Sequence, residues 1–115
     1  TRVRSSAASD VYKRQIKELN ENNFNENTKN GLKLVEFYAA WCGYCQKQRP
    51  ILNELSENNI WIGTIDADKN PELVKQYAIS GFPTFLLFKE GKVIAKLSGY
   101  HEKSELLSRL MGNLH

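Results

Sequence analysis

Leu34-Val35-Glu36-Phe37-Tyr38-Ala39-Ala40-Trp41-Cys42-Gly43-Tyr44-Cys45 is the stretch on which the reading of this 115-residue chain turns. Its first half is too apolar on both faces for an edge strand and predicts a central one, covered on both sides. Its second half holds the only two cysteines of the sequence, in Cys-x-x-Cys spacing. Beyond Cys45, Ile51, Leu52 and Leu55 recur on one face of a helix, with Pro50 placed to bend it. A strand that runs into two closely spaced cysteines at a helix start is a thiol–disulfide arrangement.

The chemistry follows from position. Cys42, at the helix N-terminus, meets unpaired N–H groups and the positive end of the macrodipole, which favour the nucleophilic thiolate. Cys45, about one turn further in, is shielded by the helix and suited to resolve a mixed disulfide. Cys42 is therefore expected to attack and Cys45 to resolve. Half a zinc site has the same spacing, but a closed zinc site takes four ligands. The chain adds only His101 and His115, both far along the sequence, so neither a metal nor any other bound cofactor is expected. A static structural disulfide is disfavoured too, because so short a loop constrains the unfolded chain little.

The remainder reads as one α/β domain. Ile16-Lys17-Glu18-Leu19 is a short first strand, and the Asn/Glu-rich stretch through Asn30 holds a short helix around Phe24 that Gly31 ends. Ile60 to Ile65 is the next strand. Asn70-Pro71 reads as an N-cap followed by proline at the first helical position, opening a helix with Leu73, Val74 and Tyr77. Thr84 to Phe88 and Val93 to Leu97 flank the hairpin signal Glu90-Gly91. Leu106, Leu107, Leu110, Met111 and Leu114 repeat at helical spacing in a final helix and are expected in the core.

Charge narrows the partners. Residues 1–15 carry Arg2, Arg4, Lys13 and Arg14 against Asp10 and so hold the whole net charge of +3; the other hundred residues are neutral. A nucleic-acid partner is not supported. No apolar run approaches a membrane span, and no membrane association is expected. Residues 1–15 have no apolar periodicity and no hydrophobic region of a signal peptide. They read as a disordered tail or a translated cloning remnant ahead of a domain at 16–115, with a targeting arm as the alternative.

Four motifs in order resemble the thioredoxin family: residues 35–45 its strand and active-site loop, Asp66-Ala67-Asp68-Lys69-Asn70-Pro71 its turn before a helix, Gly81-Phe82-Pro83-Thr84 its cis-proline loop, and Ser98-Gly99 its glycine loop. Pro50, five residues after the second cysteine, falls where the family kinks its active-site helix. The resemblance covers roughly residues 16 to 114. It implies the thioredoxin fold, a central mixed β-sheet of about five strands flanked by four helices. It also implies thiol–disulfide exchange through a redox-active disulfide between Cys42 and Cys45.

Glu36 is the residue the composition of its strand singles out. An ionised, unpaired carboxylate there costs several kcal/mol to bury. The resemblance places Glu36 where the family has a buried aspartate that assists proton transfer at the second cysteine, here one methylene longer. Burial should raise its pKa and let it accept the Cys45 proton near neutral pH through a water; the alternative is a head that reaches solvent. The lysine that accompanies the family's acid is missing, its place taken by Ile62. The resemblance also implies a cis bond between Phe82 and Pro83 and a client groove. Main-chain groups of Phe82 would pair with an extended substrate there, with Trp41, Gly81, Ser98 and Gly99 around them. Trp41 as a core residue is the alternative.

The central dipeptide Gly43-Tyr44 departs from the Gly-Pro of typical thioredoxins and the Gly-His of protein disulfide isomerases. Tyrosine keeps a backbone N–H that proline lacks and adds a phenol near Cys42. That N–H is expected to donate to the Cys42 thiolate and to make the pair somewhat less reducing than a typical thioredoxin, by roughly 30 mV for about 1.4 kcal/mol. The leading expectation is a monomeric, cytoplasmic protein-disulfide reductase, taking electrons from a thioredoxin-reductase-like donor and passing them to disulfide-containing client proteins. The periplasm enters if a native signal peptide was replaced. The alternatives are a thiol oxidase or isomerase of a secretory compartment, and a redox-inactive binding module of the same fold.

Overall fold

The computed structural model of the chain describes residues 16–58 and 60–112. The readings made of residues 1–15, Leu114 and His115 lie outside them. Element order is β1 (Lys17–Leu19), α1 (Phe24–Thr28), β2 (Leu32–Tyr38), α2 (Gly43–Glu57), β3 (Ile62–Asp66), a 3₁₀ turn (Ala67–Lys69), α3 (Pro71–Gln76), β4 (Thr84–Lys89), β5 (Lys92–Ser98) and α4 (Lys103–Gly112). Among the described residues no helix is long and apolar enough to cross a membrane.

The sheet order is β1-β3-β2-β4-β5. β1, β3 and β2 run parallel, β4 pairs antiparallel with β2, and β5 pairs antiparallel with β4, so the sheet is mixed and β2 is its centre. A strand with a partner on each side and a helical layer on each face needs apolar residues throughout, and β2 supplies them except at Glu36. Alternation along the strands divides the core. Val35 and Phe37 face Leu19, Ile65, Leu86 and Phe88, together with Phe24 of α1 and Leu73 of α3. Leu34 faces Ile62, Phe85 and Leu87, together with Leu52 and Leu55 of α2 and Leu106 and Leu110 of α4. Each such leucine contributes about 1.5–3 kcal/mol by leaving water.

The turns follow their residues. Glu90 and Gly91 both have positive φ, 50° and 85°, the backbone of a tight primed hairpin turn for which glycine is suited. Gly31, at φ 74°, lets the chain leave α1 and enter β2.

Three expectations are corrected. Strand β3 begins at Ile62 rather than Ile60, because pairing with β2 starts at Leu34 opposite Ile62. Asn70 stands before Pro71 but makes no side-chain cap. Its Nδ2 donates to Asp66 O at 2.9 Å and its Oδ1 accepts from the Glu21 amide at 3.0 Å, while Glu21 Oε2 takes the α3 donor at Glu72 N, 2.9 Å away. The cap comes from the loop after β1. Met111 is 58% exposed and not core, because only Leu106 and Leu110 of α4 turn fully onto the sheet.

Candidate active site

Strand β2 ends at Tyr38, and four residues later Cys42 forms the N-cap of α2. The rigid sheet and the helix start thus deliver both thiols from one continuous stretch. Cys42 and Cys45 are free thiols and almost fully covered. Cys42 Sγ accepts the backbone N–H of Cys45 at 3.4 Å and approaches the Phe82 carbonyl at 3.6 Å, where the thiol donates. The amide that reaches Cys42 Sγ is therefore that of Cys45, not the Tyr44 amide expected from the sequence. An N-cap side chain can take the N–H two or three residues on, and here it takes the third.

The two thiols are not equivalent. Burial, then the hydrogen bond with Cys42, pushes the Cys45 thiol up to about 12. Cys45 is held in its protonated form near neutral pH. Cys42, by contrast, is the N-cap of α2.

Glu36 of β2 is near enough for its charge to act on Cys45. It is 1% exposed, and neither carboxyl oxygen has a hydrogen-bond partner. Burial raises its pKa to about 7, with Arg49 of α2 opposing the rise and Glu18 of β1 adding to it. The alternative in which its head reaches solvent does not hold. Ile62 is buried among apolar side chains and is the register partner of Leu34, not of Glu36, and the cation that acts on Glu36 is Arg49. The neighbours on this face form a polar row. Glu18, Thr64 and Glu36 are register partners across β1, β3 and β2. Thr64 Oγ1 donates to Glu18 Oε1 at 2.9 Å, and Tyr38 OH donates to Glu18 Oε2 at 3.0 Å. The Tyr38 phenol is held well above its usual range by burial first and by Glu18 next. A cleft of about 230 Å³, lined by Tyr38, Ala39, Ala40, Cys45, Gln46 and Arg49, opens beside the Cys45 thiol.

On the other side of Cys42 the surface is aromatic. Trp41 is 70% exposed, which removes it from the core; its ring meets Phe82 edge-on at 5.8 Å and its Nε1 donates to Asp68 Oδ2 at 3.1 Å. Tyr44 is 62% exposed, with the Lys47 ammonium 5.8 Å from its ring centre. Phe82-Pro83 is a cis peptide, Gly81 O accepts Thr84 Oγ1 at 2.7 Å, and Pro83 O accepts the Gly99 amide at 2.7 Å. Gly43 and Gly81 are exposed beside these residues, and Gly99 takes φ 90°. The structure therefore brings Trp41, Cys42, Phe82, Pro83 and Gly99 to one end of the sheet. Arg49, Glu18 and Gln48 were not singled out from sequence, Asp68 entered only within a motif, and His101 only as a discarded metal ligand. Gln48 carried a signal: it falls on the apolar stripe Gln48, Leu52, Leu55 of α2.

A family model described as Thioredoxin matches residues 15–111. The chain belongs to the thioredoxin family. It is 41% identical over 106 residues to "Thioredoxin Y2, chloroplastic" of Arabidopsis thaliana, covering 88% of this chain and 64% of that relative, so the chain spans just under two thirds of the plant protein's length. It is 36% identical over 94 residues to "Thioredoxin" of Listeria monocytogenes, covering 79% of this chain and 91% of the relative. A thioredoxin of Staphylococcus haemolyticus is 35% identical over 94 residues, covering 79% and 90%. With its paired thiols at a helix start, the chain is a thiol–disulfide oxidoreductase. Thioredoxins as a family act on disulfide clients and take electrons from a reductase.

Proposed function

We propose that the protein reduces disulfides in client proteins. The Cys42 thiolate attacks one client sulfur, forming a mixed disulfide and releasing the other client sulfur as a thiolate that takes up a proton. Cys45, deprotonated, then attacks Cys42 Sγ, which frees the second client thiol and leaves the Cys42–Cys45 disulfide. Two electrons pass to the client, and a reductase of the family's kind returns them. The observation that carries this reading is the asymmetry of the pair: Cys42 caps the helix, whereas Cys45 is pushed up to about 12 beside a buried, partnerless acid.

Glu36 is the base for Cys45. Its pKa of about 7 suits exchange at neutral pH, and the cleft beside Cys45 is roomy enough for water to carry the proton. An extended client segment pairs with the main chain at Phe82 and lies against Trp41, Gly81, Pro83 and Gly99, with Gly43 and Tyr44 on the opposite rim. Both cysteines of the sequence belong to the pair, which supports a reducing compartment: the cytoplasm, or a chloroplast if the chain shares the address in its plant relative's name. The protein acts as a monomer.

The deciding experiment is equilibration of the Cys42–Cys45 couple with glutathione, read by thiol alkylation. A potential near roughly −270 mV supports the reductase; one near about −180 mV overturns it in favour of an oxidase or isomerase.

A further inference from the structure

Gln48 is a primary amide with no solvent exposure, on a helix face otherwise given to leucine. Its bonds run to a single residue 53 positions away. Nε2 donates to His101 O at 2.8 Å, and Oε1 accepts from His101 N at 2.9 Å. The His101 ring continues the chain of contacts: Nδ1 lies 2.7 Å from Gly99 O and so carries its hydrogen towards it, while the ring meets Phe85 edge-on at 6.2 Å. Gly99 N then donates to Pro83 O at 2.7 Å, and the preceding carbonyl, Phe82 O, faces Cys42 Sγ at 3.6 Å. The contacts close a circuit. It leaves the thiol helix one turn after Cys45, crosses the loop between β5 and α4, reaches the cis-proline loop and returns to the nucleophile.

We infer that Gln48, acting through His101, is a positioning residue for the client groove, holding the Gly99 and Phe82 main chain at a set distance from the thiols. A leucine at this position would fill the same core but would leave the loop between β5 and α4 tied to α2 by apolar contact alone, which fixes no register. A bidentate amide fixes both the distance and the direction of the His101 backbone. The residues that touch the client lie on three separate loops, and pre-setting their spacing lowers the ordering cost of binding. Gln48 touches neither thiol nor client, so its effect falls on client affinity. The inference rests on the reading of Phe82 and Gly99 as client surface.

The test is Gln48→Met, which keeps volume and removes both hydrogen bonds, assayed with dithiothreitol-driven reduction of insulin and with the small disulfide dithiobis(nitrobenzoate). The expected result is a KM for insulin raised about five- to ten-fold with kcat within about two-fold, and an unchanged rate with the small disulfide. An unchanged KM, or a parallel loss on both substrates, overturns the inference. Trp41→Ala separates the two readings, because its exposed ring lies in the groove itself. If Trp41→Ala raises KM and Gln48→Met does not, the positioning role fails and the groove stands; if neither raises it, the groove reading fails and the positioning role with it. Should Gln48→Met not fold, His101→Ala removes the bridge to Gly99 O while sparing the main-chain bonds of Gln48. It is expected to give the same rise in KM for insulin alone, and an unchanged KM overturns the inference.

Discussion

The backbone N–H of Cys45 points at Cys42 Sγ from 3.4 Å, so the main chain of one cysteine holds the sulfur of the other. Cys42→Ser should abolish insulin reduction. Cys45→Ser should keep the first attack and stall there, accumulating a mixed disulfide with the client that intact-mass spectrometry detects under non-reducing conditions.

Glu36 gives a pH signature whose sign can be worked out. Its pKa is raised from 4.5 to about 7 in the folded chain, so between those values the folded state holds a proton that the unfolded state has released. Stability attributable to this group therefore falls as pH rises through that window and stays low above it. Glu36→Gln, which keeps the protonated form's shape, should be more stable than wild type at pH 8, by at most about 3 kcal/mol, and gain little below pH 4.5. Urea unfolding at the two pH values checks this. The same variant should slow release of the mixed disulfide roughly ten-fold or more at neutral pH and remove the inflection near pH 7.

Tyr44 bears on the potential through the field of the helix start rather than through a bond. It is the second residue of α2, and its N–H is among the first-turn donors whose partial charges favour an anion at Cys42. Tyr44→Pro removes that donor and should make the couple more reducing by roughly 30 mV, read against glutathione.

Asp68 holds Trp41 by its indole N–H at 3.1 Å. Asp68→Ala should free the ring, alter its fluorescence and raise KM for insulin about three-fold, with thermal stability almost unchanged because both side chains are exposed.

Gly63 sits on β3 between β1 and β2, and a Cβ there would stand 2.7 Å from Leu19 Cδ1 and 2.9 Å from the Trp61 ring. Gly63→Ala should cost about 1–3 kcal/mol in urea unfolding, with the redox potential unmoved.

What could be read from the sequence was local. The apolar run of β2, the cysteine spacing and the hairpin at Glu90-Gly91 each depend on neighbours along the chain, and the structure places them accordingly. Asn70 misled because its side chain is claimed by Asp66 and by Glu21, the latter 49 residues away. Tyr44 misled because an N-cap side chain can accept from the amide two or three residues on, and here the sulfur takes the third. Glu36 was visible as an acid in an apolar strand, but its tuning by Arg49 and Glu18 depends on helix and sheet packing. The Gln48–His101 contact joins distant segments, and only the misplaced polarity of Gln48 on its stripe hinted at it.

The parallel course of β1, β2 and β3 has a practical consequence. Ile16, where the described chain enters, packs in the same cluster as Leu32 at the start of β2. Met111, near the end of α4, lines a cavity with Leu32 and Ile60. Both ends of the described stretch therefore emerge at the pole opposite the thiols. A fusion partner, a surface anchor or a chromatography bead joined directly before Ile16 or after Gly112 would stand behind the domain and leave the approach to Cys42 open.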